Sequence, residues 1–173
     1  MRYFFIAQDT NLSHTIQYRD FDIFGGRHLF IREDANQLND VVALYLTGNG
    51  KEAIWDFLQR PVTMFSERFR KILDAYEPDL IFKEVVLIHK ENSLQYRYVH
   101  TLMEQVDAVG KSTEYYPDGS VKRLVLDNNK IGRHNLFLLK GSQRKDPVVS
   151  LALAESLLRR KPCGLCFEEV EVE

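Results

Sequence analysis

Cys163 and Cys166 have the spacing in this sequence that most resembles a chemical motif. A redox-active C-x-x-C pair begins a helix, because the helix dipole lowers the thiol pKa there. Here the pair follows a helical pattern and precedes a strand-like one. As zinc ligands the two thiolates would be incomplete, since the chain has no other cysteine for a four-thiolate set. We interpret both as structural cysteines and expect a protein that folds without metal, disulfide or cofactor.

A second segment, TGNGKE at residues 47–52, resembles a phosphate-binding loop but departs from it at two positions. The P-loop spacing requires a glycine five residues before Gly50, where Tyr45 stands. Glu52 replaces the Ser or Thr that would hold magnesium. The segment therefore predicts a turn.

The five histidines are scattered and form no H-E-x-x-H motif, and no serine or cysteine lies in a nucleophile elbow. These histidines are His14, His28, His89, His100 and His134. The sequence thus predicts a protein that is not an enzyme. The alternative is an unrecognised catalytic constellation that the fold assembles from distant residues.

The bulk composition points to a globular protein of the cell interior. A chain of 173 residues suits one domain, or one domain with a small appendage. With 23 basic and 25 acidic residues the net charge is −2, which argues against a general nucleic-acid binder. No segment approaches the roughly 20 apolar residues that cross a bilayer, and residues 1–8 read as a strand rather than a secretory signal. We expect a cytoplasmic protein that contacts neither nucleic acid nor membrane.

The first 60 residues contain short and partly conflicting signals. Residues 3–7 and 28–31 predict strands. Residues 38–46 fit either a helix or a buried strand, and this alternative stays open at the level of sequence. Residues 54–58 favour a short helical piece, within which Trp55 is typical of a core residue.

Two amphipathic helices are predicted, at about residues 64–76 and 150–160. In each, apolar residues recur at helical spacing on one face, so Phe69 and Leu157 should be buried. Thr63 or Ser66 could cap the first helix, and Ser150 the second, because a side-chain oxygen accepts an otherwise unpaired backbone N–H.

Between the helices the pattern is that of a β meander. Its strongest local signal is PDGS at residues 117–120, which predicts an exposed hairpin turn. The predicted strands are residues 81–89, 96–102, 106–109, 113–116, 121–126 and 134–140, with a last one at 165–172. Together these elements predict an α+β fold, a mostly antiparallel sheet on which the two helices pack.

The last strand is acidic, and two interpretations of it remain open. Charged side chains protect an edge strand from aggregation, or they recognise a basic partner. The candidate partner-binding residues are Glu168, Glu169 and Glu171, with exposed Tyr115 or Tyr116.

The order of several short motifs resembles the immunity-protein family of bacterial polymorphic-toxin systems. These motifs are DFL at 56–58, a helix beginning at Ser66, YRYV at 96–99, VD at 106–107, LFLL at 136–139, VS at 149–150, LAE at 153–155 and GLCFEEV at 164–170. The resemblance covers roughly residues 52–172. It implies a β-containing N-terminal part at residues 1–51 and an α+β immunity-like domain at residues 52–173.

The resemblance also implies a function. Such proteins bind and neutralise a cognate toxin, which is often encoded beside them, and the family pattern contains no catalytic residues. The partner would then be a toxin protein. The alternatives are an enzyme with an unrecognised site and a structural or regulatory interaction module. Neither the residues nor the resemblance defines an oligomeric state.

Overall fold

The structure is a computed structural model, which describes residues 1–9, 16–19, 31–47, 54–142 and 144–173. In these ranges the strands are β1 (Tyr3–Gln8), β2 (Gln17–Tyr18), β3 (Val41–Thr47), β4 (Phe57–Leu58), β5 (Met64–Ser66), β6 (Ile81–His89), β7 (Leu94–Leu102), β8 (Gln105–Val106), β9 (Glu114–Tyr115), β10 (Val121–Arg123), β11 (Val125–Leu126), β12 (Leu136–Leu139), β13 (Val148–Ser150) and β14 (Leu165–Val172). The helices are α1 (Arg70–Tyr76), α2 (Asn128–Ile131) and α3 (Leu151–Leu158), with 3-10 helices at Arg32–Gln37 and Glu67–Phe69. This strand-rich chain with few helices is an α+β protein, as the sequence predicts.

One sheet curls until its two edges meet. Its strand order is β11-β14-β1-β13-β12-β8. Beyond β8, Val109 bridges to Leu126 of β11. The N–H of Gly110 donates to the carbonyl of Val125 at 2.7 Å, and that of Asp127 donates to Ala108 at 2.9 Å. We call these six strands the curled sheet.

Side chains of the curled sheet alternate between its inside and its outside, as the pleat of a strand requires. Tyr3 and Phe5 of β1 face the inside, whereas Ile6 faces the helices. The inside is filled by Tyr3, Phe5, Val106, Ala108, Leu126, Ile131, Phe137, Leu139, Val148 and Val170. The curled sheet therefore has a core of its own.

The other large sheet has the order β2-β3-β6-β7-β5-β4, and we call it the middle sheet. Its centre is the β6–β7 hairpin, which pairs from Ile81↔Leu102 to His89↔Leu94. Most strand pairings of the described chain are antiparallel, but β11–β14, β12–β8 and β3–β6 are parallel.

Helices α1 and α3 and both sheets share one hydrophobic cluster. Phe69, just before α1, and Leu157 of α3 are fully buried in it, as predicted. Ser150 accepts the N–H of Leu153 at 3.4 Å, which confirms the predicted cap of α3.

The predicted helix over residues 64–76 is wrong in its first part. Met64–Ser66 is strand β5, which pairs with β7, and the α-helix begins at Arg70. Met64 and Phe65 are both buried but in clusters on opposite faces of the middle sheet. In a strand, neighbouring side chains point to opposite faces, so Met64 and Phe65 can each be buried in a different cluster. A helical stripe would place both side chains on one face. Ser66 makes no side-chain capping bond.

The same alternation corrects the predicted helical piece at residues 54–58. Phe57 and Leu58 form β4 and contribute to different clusters, while Trp55 is buried as predicted. Residues 41–47 form β3, which decides the alternative left open for residues 38–46. Of the predicted strand 28–31 and turn 47–52, residues 28–30 and 48–52 lie outside the described ranges.

The predicted hairpin around residues 117–120 is confirmed, with an exposed turn between β9 and β10. β6 and β14 have the predicted bounds, whereas β8 covers only the first residue of the predicted strand 106–109. Helix α2 was not predicted; Asp127 caps it by accepting the N–H of Asn129 at 2.9 Å.

β1 lies between β13 and β14, so the first strand of the chain completes a sheet of distant segments. The boundary between residues 51 and 52 falls outside the described ranges, and the division there stays a prediction. No helix in the described parts of the chain is long and apolar enough to cross a membrane.

Candidate partner-binding site

Exposed apolar side chains concentrate on the hairpin formed by residues 114–123, which we call the tyrosine hairpin. Of seven exposed large hydrophobic side chains in the described ranges, three lie here: Tyr115 (55% exposed), Tyr116 (51%) and Val121 (41%). Tyr115 pairs across the two strands with Val121. The side chains of Tyr115 and Val121 therefore lie side by side as an exposed apolar pair.

The tyrosine hairpin is held at its tip and at its base. At the tip, Asp118 accepts the N–H of Ser120 at 2.9 Å and its hydroxyl at 2.6 Å, and these bonds lower the pKa of Asp118. At the base, the Glu173 carboxylate accepts the Ser112 hydroxyl and the backbone N–H of Lys111. These bonds lower the pKa of Glu173. The exposed side chains of the tyrosine hairpin are thus carried by a segment that is hydrogen-bonded at both ends.

A cleft of about 740 Å³ separates the tyrosine hairpin from one end of the curled sheet, and we call it the mouth cleft. Phe5 and Leu139, from the inside of the curled sheet, form part of its wall. The guanidinium of Arg144 lies 3.9 Å from the centre of the Phe5 ring. The cleft is therefore lined by both apolar and charged side chains, as ligand and partner sites commonly are.

The three predicted glutamates are ion-paired rather than free. The Glu168 carboxylate accepts a hydrogen bond from the Arg144 guanidinium at 2.7 Å. The Glu169 carboxylate accepts two from the Arg2 guanidinium, at 2.6 and 2.8 Å.

Glu171 accepts Arg123 through both of its oxygens. Hydrogen bonding to these arginines lowers the pKa of all three carboxyl groups. The expected acidic surface is therefore a row of ion pairs.

The structure brings Tyr115, Glu168, Glu169 and Glu171 together on the wall of the mouth cleft. Tyr116 is exposed on the same hairpin but does not line the cleft. β14 is an edge strand over only part of its length, since β11 pairs with its residues 171 and 172.

Sequence reasoning missed Val121, Arg123 and Arg144, which line the mouth cleft, and Arg2, which pairs with Glu169. The period-two pattern beside PDGS could have indicated Val121 as the cross-strand neighbour of Tyr115. Nothing local could have indicated Arg2, which is 167 positions from Glu169.

Other titratable groups have structural roles. The buried Glu77 accepts the N–H of Asn135 at 2.7 Å and lies 3.0 Å from His134 Nδ1, which ties the end of α1 to β12. Cys163 and Cys166 are free, exposed thiols. Within the described ranges no group of three metal-ligating side chains comes together.

The segments that carry two motifs of the family resemblance, DFL at 56–58 and GLCFEEV at 164–170, contact each other. The Asp56 carboxylate accepts Arg68 at 2.7 and 2.5 Å and the N–H of Cys163 at 2.8 Å. Gly164, with φ +76°, lies against Trp55, where an added Cβ would come within 2.6 Å of the Trp55 side chain. These contacts join the start of β14 to the loop before β4.

Residues 38–172, most of the chain, match the model of the Immunity protein family (Imm11). The chain belongs to this family, and the resemblance inferred from the short motifs is confirmed. The match begins before residue 52 and so includes β3, while β1 lies outside it. No curated protein matches the chain.

Proposed function

We propose that this protein is a non-catalytic immunity protein of the cytoplasm that neutralises a cognate toxin by binding it directly. The contact surface is the tyrosine hairpin together with the mouth cleft. The observation that carries the proposal is the concentration of exposed apolar side chains on one hairpin of a chain from an immunity family.

The physical properties of this surface suit tight protein recognition. Binding energy in such interfaces is concentrated in a few aromatic and arginine side chains, which are surrounded by a polar rim. Tyr115 and Tyr116 supply rigid aromatic area with a polar end. A stable complex would bury about 1,200–2,000 Å² in total, and the hairpin would form its centre.

The ion pairs beside the cleft would form the rim. Exposed ion pairs contribute little to stability, so Arg2, Arg123 and Arg144 can exchange an internal carboxylate for one on the partner at small cost. Such exchange gives specificity and fast association more than affinity. A toxin surface with mixed charge around an apolar centre would fit.

The test is co-expression with the product of the neighbouring gene in a host that this product kills. We expect the natural protein to restore growth and the double variant Tyr115→Ala/Tyr116→Ala to restore it poorly. Leu94→Ala is the matched control, because Leu94 is an exposed apolar residue of the middle sheet.

Tyrosine variants test the surface better than glutamate-to-lysine variants. A lysine at position 168, 169 or 171 would place a second cation beside an arginine and could disturb the fold itself. Equal protection by the tyrosine variant and by Leu94→Ala would mean that the toxin-binding surface lies elsewhere on the protein. No protection and no complex with the natural protein would contradict toxin neutralisation.

A further inference from the structure

Strand β14 has an open backbone edge next to the mouth cleft. On one side it pairs with β1 from Leu165 to Val170. On the other side β11 reaches only Glu171 and Val172. Within the described ranges no strand pairs with this second side over residues 165–170.

The direction of the free backbone groups follows from the antiparallel ladder. The N–H of Asp9 donates to the carbonyl of Gly164 at 3.1 Å. Bonded pairs alternate along an antiparallel ladder, so the N–H and C=O groups of residues 166, 168 and 170 also face β1. Those of Leu165, Phe167 and Glu169 therefore face the open side. Further along, the same side is occupied, since the N–H of Glu173 donates to Leu126 at 2.8 Å.

The edge is open because the neighbouring strand turns away. β10 precedes β11 and could have continued alongside β14, but it pairs with β9 in the tyrosine hairpin instead. The mouth cleft lies between the two, with Glu168 and Glu169 on one wall and Val121 on the other. The fold thus leaves a slot beside a partly formed sheet edge.

We propose that an extended segment of the toxin enters this slot and adds to the curled sheet as a further strand, pairing with residues 165–169 of β14. This inference rests on the proposed function and specifies how the toxin is held. Strand addition gives affinity through main-chain hydrogen bonds and specificity through alternate side chains.

Charge indicates what kind of segment fits. From residue 168 to residue 173 the chain carries Glu168, Glu169, Glu171 and Glu173 and no basic residue. A second copy of β14 would add two further glutamates at this edge and no basic residue of its own strand. Glu168 and Glu169 point to opposite faces of the strand, and Arg144 and Arg2 hold them in exposed ion pairs that exchange at small cost. A segment with two neighbouring lysines or arginines could take over both carboxylates. The occupant is therefore a basic strand of the partner and not a second copy of this chain.

Glu169→Pro and Glu169→Ala form a matched pair of variants for the test. Both remove the ion pair with Arg2, but only proline removes the outward N–H of residue 169. Proline is tolerated where the N–H of a strand faces away from its neighbours, so the sheet should persist. With the product of the neighbouring gene as the probe, we expect Glu169→Pro to bind at least ten times more weakly than Glu169→Ala. Equal affinity of the two variants would overturn strand addition and leave toxin neutralisation intact.

Amide hydrogen exchange on the natural protein gives a second readout that does not depend on a variant folding. In the free protein the amides of Phe167 and Glu169 should exchange faster than those of Glu168 and Val170, which face β1. Binding of the neighbouring gene's product should protect the first two amides. Unchanged exchange at both positions in the complex would contradict the proposal.

If the neighbouring gene's product forms no complex, the proposed function fails, and a display library of random nine-residue peptides tests the edge alone. Enrichment of basic peptides that bind Glu169→Ala but not Glu169→Pro supports the proposal. Absence of any such enrichment overturns it. A concentration-dependent dimer that Glu169→Pro abolishes would mean that the strand pairing with β14 comes from a second copy of this chain. That result would overturn the proposal of a basic strand from the partner.

Discussion

The two six-stranded sheets in the described ranges are assembled from different parts of the chain. The middle sheet uses strands within residues 17–102, with a long hairpin at its centre. The curled sheet combines β1, at residues 3–8, with five strands from residues 105–172. The mouth cleft, the tyrosine hairpin and the open edge of β14 all belong to the curled sheet or adjoin it. The candidate surface thus depends on the pairing of distant segments.

The two sheets also differ in how their faces are covered. The middle sheet lies between two hydrophobic clusters, one of which it shares with α1 and α3. The curled sheet encloses its own cluster, and the mouth cleft reaches residues of that cluster. The middle sheet would then act as support, and the curled sheet as the part that meets a partner.

The largest expected effect tests whether the two sheets are one cooperative unit. Phe69→Ala and Leu157→Ala remove buried side chains from the cluster that both sheets share, and each should destabilise the protein by about 2–5 kcal/mol. Urea unfolding followed by far-UV circular dichroism should still show one transition, shifted to lower urea.

The control for these core variants is Leu158→Ala, because Leu158 lies on the same helix as Leu157 but is 51% exposed. It should change stability by less than about 0.5 kcal/mol. Two separate transitions in either core variant would mean that the sheets unfold independently. That result would contradict the claim that the shared cluster makes them one cooperative unit.

A smaller effect is expected where β14 begins. Gly164 and Gly119 both have positive φ, +76° and +81°, but only Gly164 has atoms within reach of an added Cβ. Gly119→Ala should cost about 1 kcal/mol, from left-handed backbone strain. Gly164→Ala should cost about 1–3 kcal/mol more, from overpacking against Trp55. Thermal unfolding measures the difference, and equal losses would contradict the contact with Trp55.

The smallest expected effect concerns the ion pairs of the curled sheet. Arg123 holds the pKa of Glu171 below its usual range. Because the folded pKa is lowered, the small stabilisation is present above the unfolded pKa of about 4.3 and is lost as pH falls through the folded value.

Carboxyl NMR titration measures this pKa directly. Arg123→Gln should raise the pKa of Glu171 toward its ordinary value, whereas Arg133→Gln should leave it unchanged. An unchanged Glu171 pKa in the first variant would mean that the ion pair does not persist in solution.

What could be predicted from the sequence was local. The hairpin at residues 117–120, the bounds of β6 and β14, and the cap at Ser150 depend on neighbouring residues, whose turn chemistry and periodicity are visible in the chain. The family relationship could also be inferred, from the order of short motifs.

What could not be predicted depends on tertiary context. Met64 and Phe65 fit a helical stripe, but the sheet requires them on opposite faces, so packing overrode the local pattern. The ion pair of Glu169 with Arg2 spans 167 positions. The glutamates and Tyr115 could therefore be singled out from their residue types, but the arginines that compensate those glutamates could not.

The central claim is that the tyrosine hairpin and the mouth cleft bind the toxin. Its most direct test is the affinity of Tyr115→Ala/Tyr116→Ala for the purified product of the neighbouring gene, measured by calorimetry beside Leu94→Ala. If each tyrosine is an anchor worth about 2 kcal/mol, the double variant should bind several hundred times more weakly than the natural protein, with an unchanged melting temperature. Leu94→Ala should bind like the natural protein. Equal affinities for both variants would contradict the account.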